Sequence, residues 1–217
     1  MKYLLILLIG LMSCTNRAKL EQNLDKNYVF FLHNRYLETH QDGDYDTVYK
    51  TKIEYSKILN SFKEDGFIVI SEKRKPETNG IVYAKKVVGQ IDSLINLGVK
   101  PNHITVIGTS KGGYIAQYVS TFKNNPHINY VFIGSYQESD LVEMPDINFS
   151  GNVLTIYEKS DKYGVSAIKR KETSQLKINH FKEIELNTGL KHGFLYRVLD
   201  EWMEPSKKWA KRNYDLK

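Results

Sequence analysis

The sequence predicts an α/β fold: a mostly parallel sheet of about six strands with helices on both faces, which together form a three-layer sandwich. One observation behind this prediction is that short apolar runs alternate along the chain with segments whose apolar residues recur at helical spacing. A second is that the apolar runs are continuous instead of alternating with polar residues, which is typical of parallel strands buried on both faces. The functional residues of such a sheet lie at the carboxyl ends of its strands.

Six apolar runs are predicted to be the strands, over residues 28–32, 67–70, 104–107, 130–133, 153–156 and 181–186. Helical spacing predicts helices over residues 49–62, 84–95, 114–122 and 167–177 and a last helix from Leu195 onward. Gly66 and Gly98 are expected to end the first two helices, because glycine readily adopts the left-handed backbone of a helix terminus. Pro205 is expected to break or kink the last helix, because proline lacks a backbone donor.

The length and charge of the chain limit the classes of function. The chain has 217 residues, enough for one domain with a sizeable core or for one domain with a tether. Its formal net charge is +6 at pH 7, but the lysines are interspersed with acidic residues and form no dense basic block with stacking aromatics. A solvated basic surface is therefore favoured over a nucleic-acid site, and no nucleic-acid partner is predicted.

The first residues combine a short basic start with an apolar stretch. Lys2 precedes an apolar run over residues 4–12, which is too short to span a bilayer and fits a secretory signal. Residues 11–14 read Leu-Met-Ser-Cys and resemble the lipobox of bacterial lipoproteins, in which the cysteine is acylated and becomes the new N-terminus. A plain signal peptide with an incidental cysteine and an uncleaved anchor are the alternatives. Cys14 is the only cysteine, so the chain can form no internal disulfide.

The lipobox resemblance implies a division into three segments: a signal peptide over residues 1–13, a tether over 14–27 and a folded domain over 28–217. The polar composition of residues 15–26 agrees with a tether. The resemblance also implies lipid attachment at Cys14 and a location in the bacterial cell envelope, where the lipid anchors the protein to a membrane and the domain faces the periplasm or the exterior.

A candidate nucleophile follows the third predicted strand. Residues 108–113 read Gly-Thr-Ser-Lys-Gly-Gly, a G-x-S-x-G motif between a strand and a helix. The glycines allow a sharp turn that exposes Ser110 at the edge of the sheet, and the Lys111 amide then lies at a helix N-terminus, which favours an oxyanion. A tight turn without chemistry is the alternative. The Walker spacing is absent, which argues against a phosphate loop.

The position of each histidine relative to the strands narrows the choice of a general base. His103, His127 and His180 come just before strands, so they are expected at the edge opposite Ser110. The other three follow strands: His33 and His40 come after the first, and His192 comes after the last and a short loop over residues 187–191. The candidate acids are four carboxylates that also follow strands, namely Glu138, Asp140, Glu158 and Asp161.

These motifs together resemble the α/β-hydrolase family, and the resemblance covers nearly the whole chain from Tyr28 to Trp209. It implies that His192, late in the chain and before the final helix, is the base. It implies Asp161 as the acid, with Glu158 as the second choice, and so the order serine, acid, histidine that this family shows. Residues 31–35 resemble the family's strand followed by His-Gly, with Asn34 where glycine is usual. The amide of Asn34 or of Arg35 is then expected to complete an oxyanion hole with that of Lys111.

The predicted function is that of a serine hydrolase that cleaves a carboxylic ester or a related acyl bond through an acyl-enzyme. A serine peptidase, an acyl transferase and a catalytically silent binding protein of the envelope are the alternatives. No metal or organic cofactor is predicted, because no ligand cluster has metal spacing. The segment 134–152 is too short for a cap domain, so the site is expected to be open to a small or polymer-borne acyl substrate. Arg35, Arg74 and Lys111 are expected near its mouth, as solvated charges or as groups that recognise an anion.

Overall fold

The computed structural model of the protein describes residues 23–216, and its largest element is a six-stranded sheet in which every pair of neighbours is parallel. Two further strands form a separate antiparallel hairpin. The strands in chain order are β1 (Tyr28–Leu32), β2 (Tyr45–Asp46), β3 (Thr51–Lys52), β4 (Ile68–Ile70), β5 (Ile104–Thr109), β6 (Asn129–Ile133), β7 (Gly151–Glu158) and β8 (Ile178–Leu186). The spatial order in the sheet is β4-β1-β5-β6-β7-β8. Cys14 and the predicted signal peptide lie outside the described residues.

Helices connect the strands. They are α1 (Tyr55–Glu64), α2 (Gly80–Asn96), α3 (Lys111–Lys123), α4 (Asp140–Glu143), α5 (Ile168–Thr173) and α6 (Asp200–Ala210). Short 3-10 turns cover Tyr36–Glu38, Pro101–His103 and Lys191–Tyr196. None of the helices within residues 23–216 is both long and apolar enough to cross a membrane.

Apolar side chains pack on both faces of the sheet and form two separate cores. On one face, α1 and α6 contribute Phe62, Trp202 and Trp209, which are fully buried. On the other face, α2 and α3 contribute Ile91 and Val119, which are equally buried. Inner strands between two such layers have no face in contact with water, which explains the nearly continuous apolar sequences of β1 and β6. The edge strand β8 is partly exposed and carries charged side chains. The predicted three-layer α/β sandwich is therefore confirmed.

The prediction of a helix over residues 49–62 is wrong in its first part, because residues 45–52 form the β2–β3 hairpin and α1 begins only at Tyr55. The Asp46 carboxylate, which is buried, accepts hydrogen bonds from the backbone N–H groups of Val48 and Tyr49 at 2.7 and 2.8 Å. An aspartate that binds nearby amides in this way stabilises a turn at the expense of a helix. The helical spacing of Tyr49 and Ile53 with the residues of α1 was coincidental.

The last helix begins later than predicted, and the break expected at Pro205 does not occur. Leu195 lies in a 3-10 turn, and the final helix begins at Asp200. Pro205 lies inside α6, which continues to Ala210. A proline within a helix removes one hydrogen bond, but Trp202 and Trp209 on its two sides are completely buried and hold both halves of α6 against the sheet. The helix predicted over residues 167–177 is shorter than expected, because the backbone is extended from Ser174.

Candidate active site

The turn from β5 to α3 places Ser110 at the carboxyl edge of the sheet. Its backbone has φ 51° and ψ −121°, a combination that a residue with a side chain rarely adopts. The neighbouring glycines allow this turn. A methyl group on Gly108 would collide with the backbone of Gly112, and one on Gly112 would collide with the carbonyl oxygen of Leu32. The sharp turn requires a glycine at both positions.

The side chains of Ser110, His192 and Asp161 lie in hydrogen-bond contact, although they come from the ends of three different strands. The Ser110 Oγ atom lies 2.9 Å from Nε2 of His192, and Nδ1 of the same ring lies 2.6 Å from Oδ2 of Asp161. Oδ1 of Asp161 accepts a hydrogen bond from the Tyr163 backbone N–H at 2.9 Å, which fixes the carboxylate. When the ring carries its proton on Nδ1, this N–H group donates to Asp161, and Nε2 is free to accept the hydroxyl proton of Ser110.

The three other candidate acids make their hydrogen bonds elsewhere. Glu138 lies at the surface, where it forms a 2.6 Å ion pair with Lys169. Asp140 is buried and accepts from the Tyr114 hydroxyl at 2.9 Å and from a backbone N–H. Glu158 is also buried, but its carboxylate binds neighbouring loop residues. Among the four predicted carboxylates, Asp161 is the one that forms a hydrogen bond with His192.

The loop after β1 is braced by His33, which is completely buried. Its Nδ1 lies 2.6 Å from the Asn34 carbonyl oxygen, and its Nε2 accepts the Arg74 backbone N–H at 2.8 Å. Burial, with the nearby charge of Arg74, lowers the pKa of His33 to about 4, so the ring is neutral at pH 7. Asn34, which replaces the usual glycine, accepts the Leu37 backbone N–H at 3.2 Å through its side chain and so closes the following 3-10 turn.

The positive charges expected near the mouth of the site lie in different places. Arg74 is buried with 2% of its surface exposed, and its Nε atom is 3.1 Å from Oε1 of Glu38. The Lys111 ammonium is 2.8 Å from the other oxygen of that carboxylate. Arg74 therefore lies behind the site, and it shares the Glu38 carboxylate with Lys111. Arg35 alone of these three cations is exposed and also lines the cavity.

Comparison with known proteins gives a match at the level of structure. No protein-family model matches the sequence, and none of the curated proteins matches it. Among solved structures, SOBER1 of Arabidopsis thaliana superimposes with a TM-score of 0.55 at 13% identity and covers 87% of this chain and 99% of its own. An esterase/lipase from an uncultured bacterium gives 0.57 at 9% identity, over 88% of this chain and 78% of its own. MGS-M1, an α/β-hydrolase enzyme from a Medee basin deep-sea metagenome library, gives 0.55 at 14% identity, over 89% and 87%.

The protein has the α/β-hydrolase fold. The sequence resemblance implied this fold, and the similarity extends over most of this chain and of each of the three structures. At identities of 9–14%, the similarity concerns the fold alone.

On this α/β-hydrolase fold, a cavity of about 750 Å³ opens beside Ser110 and His192. Its wall contains five tyrosines that were not predicted as site residues: Tyr36, Tyr49, Tyr114, Tyr163 and Tyr196. The hairpin supplies Asp46, Val48 and Tyr49 to the same wall. A count of 15 tyrosines in the sequence was the one available signal, and it does not say which of them share a cavity.

The lining of the cavity combines apolar rings with few charges, as is common for sites that bind small organic molecules. Two of its carboxylates already have partners, because Glu38 binds Lys111 and Asp46 binds backbone amides. Across residues 23–216, no three His, Cys, Asp or Glu side chains converge closely enough to hold a metal ion. The chemistry that the site offers is that of a serine, an imidazole and a carboxylate.

Proposed function

We propose that the protein is a serine hydrolase that cleaves a carboxylic ester or a related acyl bond. The observation that carries this proposal is the position of His192 between the Ser110 hydroxyl, at 2.9 Å, and the Asp161 carboxylate, at 2.6 Å. A serine hydroxyl is a weak nucleophile unless an adjacent base takes its proton, and a base works best when a third group fixes its orientation. The strained backbone of Ser110 also supports the proposal, because such conformations cluster at active sites.

In the proposed reaction, Ser110 Oγ attacks the carbonyl carbon while Nε2 of His192 accepts the hydroxyl proton. The Asp161 carboxylate stabilises the imidazolium that forms. The tetrahedral intermediate then collapses, the bond to the leaving group breaks, and the imidazolium protonates the departing alcohol. Water enters, His192 takes one of its protons, and the resulting attack releases the acid and restores the serine.

The negative oxygen of the intermediate requires donors that are already in place. The Lys111 amide is at the N-terminus of α3, where the helix dipole adds positive potential. The loop of Asn34 and Arg35 lines the cavity from the other side and supplies the second amide in this proposal. The bracing of this loop by His33 supports that role, because an oxyanion hole lowers the barrier only when its donors need not rearrange.

Two features support an ester substrate. One structural neighbour is an esterase/lipase, and another is an α/β-hydrolase enzyme. The cavity is wide, and residues 134–150 contain only the four-residue helix α4, so within residues 23–216 no cap domain is inserted there. An open cavity favours acyl groups that are accessible on a small molecule or a polymer over long acyl chains that need enclosure. Lipid attachment at Cys14 is part of the same proposal and would keep the enzyme at the cell envelope.

A fluorophosphonate probe with mass-spectrometric mapping tests the proposal, because it reacts covalently with activated serines. We expect labelling of Ser110 in the wild-type protein, and no label after Ser110→Ala or His192→Ala. A panel of short-chain esters, sugar acetates and aminoacyl substrates then separates an esterase from a peptidase or a transferase. A folded wild-type protein that neither takes the label nor turns over any substrate would be a binding protein.

A further inference from the structure

We propose that Glu158 is a positioning residue, which holds the loop that carries Asp161 against the loop that carries His192. The inference rests on the proposed function, because it concerns the geometry of that site. Glu158 is the last residue of β7 and is completely buried. It does not contact Ser110 or His192 through any recorded hydrogen bond, so its role is distinct from that of Asp161.

The Glu158 carboxylate accepts hydrogen bonds from both loops. Oε1 accepts from the backbone N–H and the hydroxyl of Ser160, at 3.1 and 2.9 Å, and from the Gly189 backbone N–H at 3.3 Å. Oε2 accepts from the backbone N–H and the hydroxyl of Thr188, both at 2.8 Å. Ser160 immediately precedes Asp161, whereas Thr188 and Gly189 belong to the loop before His192. One carboxylate therefore joins two loops that are about thirty residues apart in the sequence.

A second contact extends this junction to the residue next to the base. The Ser160 hydroxyl donates to Glu158 and accepts the backbone N–H of Lys191 at 3.1 Å. Lys191 has φ 51°, a left-handed backbone that a lysine adopts at a cost in free energy. A residue keeps such a conformation only when the contacts around it hold its backbone in place. The hydrogen bonds that link Lys191 to Ser160 and Ser160 to Glu158 supply that restraint directly before His192.

The site requires a carboxylate and not merely a polar side chain of this size. Each oxygen faces at least one backbone N–H, which can only donate, so an amide NH₂ group in either orientation would face a donor. Burial alone would raise the pKa of Glu158, but the hydrogen bonds from Thr188 and Ser160 outweigh burial and lower it. An ionised carboxylate has acceptor lone pairs on both oxygens and no donor of its own, which suits a site surrounded by donors.

The test compares Glu158→Gln and the milder Ser160→Ala with a control pair, a glutamate of β8 and a serine of the segment after β7. Glu183 of β8 likewise accepts hydrogen bonds from Thr155 at 2.8 Å, from Ser166 at 2.6 Å and from the Ala167 backbone N–H at 2.8 Å. It forms no hydrogen bond with Asp161 or with the loop before His192. Glu183→Gln and Ser166→Ala therefore remove similar hydrogen bonds at a distance from the base. The loss of thermal stability in each pair is measured first, so that kinetic effects are compared at equal folded fractions.

We expect Glu158→Gln to lower kcat on an ester about tenfold and Ser160→Ala about threefold, with KM changed less than twofold, because a loosened His192 affects the transition state more than substrate binding. The apparent pKa of the base in the kcat/KM profile should fall, because the imidazolium loses part of its stabilisation by Asp161. A merely structural residue would not move that pKa. The control pair should keep the wild-type pH profile.

Proton NMR of the hydrogen bond between His192 and Asp161 provides a readout that does not need turnover. We expect the low-field resonance of the Nδ1 proton to broaden or disappear in Glu158→Gln and Ser160→Ala, and to persist in the control pair. If the wild-type protein is inactive but shows this pattern, the positioning role holds and the proposed hydrolysis is wrong. Wild-type pH profiles and resonances in both test variants would overturn the positioning role, and if Glu158→Gln does not fold, Ser160→Ala decides.

Discussion

The buried neutral ring of His33 predicts a specific dependence of stability on pH. Its pKa is 6.5 in an unfolded chain and about 4 in the folded protein, where burial and Arg74 disfavour the charged ring. Between these values the unfolded chain binds a proton that the folded protein does not. The stabilisation associated with the neutral ring is therefore complete above pH 6.5 and is lost as the pH falls toward 4.

The size of the effect follows from the shift in pKa. Each unit corresponds to about 1.4 kcal/mol, so the whole shift corresponds to about 3 kcal/mol. Between pH 7 and pH 5 the folded ring remains mostly neutral while the unfolded ring becomes almost fully protonated. We expect this interval to lower the free energy of unfolding by about 2 kcal/mol through His33 alone.

Urea denaturation at pH 7 and pH 5 tests this value in the wild type and in His33→Gln. The variant is expected to be less stable at pH 7, because two buried hydrogen bonds are lost, but to lose about 2 kcal/mol less than the wild type on acidification. His103, whose pKa burial also lowers, contributes equally to both proteins and cancels. His127→Gln changes an exposed ring and serves as the control. Equal losses in wild type and His33→Gln would refute the reasoning.

Three further predictions concern the nucleophile, the acid and the N-terminus. Asp161→Asn should lower kcat about a thousandfold or more at nearly unchanged KM, because the amide favours the wrong tautomer of His192; steady-state kinetics on an ester measures this, and a loss below about tenfold would contradict it. Gly112→Ala should prevent folding or abolish activity, because the added methyl group meets the Leu32 carbonyl oxygen. The control is Gly89→Ala inside α2, where the added methyl group meets nothing within 4 Å. Gly89→Ala should stabilise the protein by about 0.5–1 kcal/mol in thermal unfolding. Cys14→Ser should abolish incorporation of a labelled fatty acid in bacteria, and a wild-type chain without label would exclude the lipoprotein assignment.

The sheet was predictable because its inner strands are buried on both faces. A continuous apolar run such as that around Val131 has few alternatives when helical segments flank it, so the strand count and the three layers were correct. The hairpin was not predictable from periodicity, because Tyr49 and Ile53 fall in phase with α1. Its turn depends on one side chain, Asp46, whose hydrogen bonds the sequence does not display.

Within the site, the sequence indicated those residues whose chemistry depends on a local motif. Ser110 stands in a recognisable turn, and His192 stands after the last strand. Thr188 and Gly189 are close to Glu158 only because β7 and β8 are neighbours in space. The sequence around residue 158 therefore gives no sign that its carboxylate accepts hydrogen bonds from two loops. Arg74 shows the same limit, since a lone arginine after a strand gives no sign that a buried glutamate will bind it.

The β2–β3 hairpin forms one wall of the cavity and is inserted between β1 and α1 without disturbing the order of the sheet. Tyr49 ties the hairpin to the segment that carries the base: its ring lies 6.1 Å from that of His192 and 5.9 Å from that of Tyr196. Gly193 also lies so close to Tyr49 that an added methyl carbon would approach its Cβ to 2.6 Å. Asp46 and Tyr49 are held by these contacts and by the turn, whereas Val48 is exposed and lines the cavity, so related chains can diverge there with little penalty to the scaffold. In a family descended from this protein, changes of substrate should accumulate in this hairpin, and exchanging it between members is the direct route to altered selectivity.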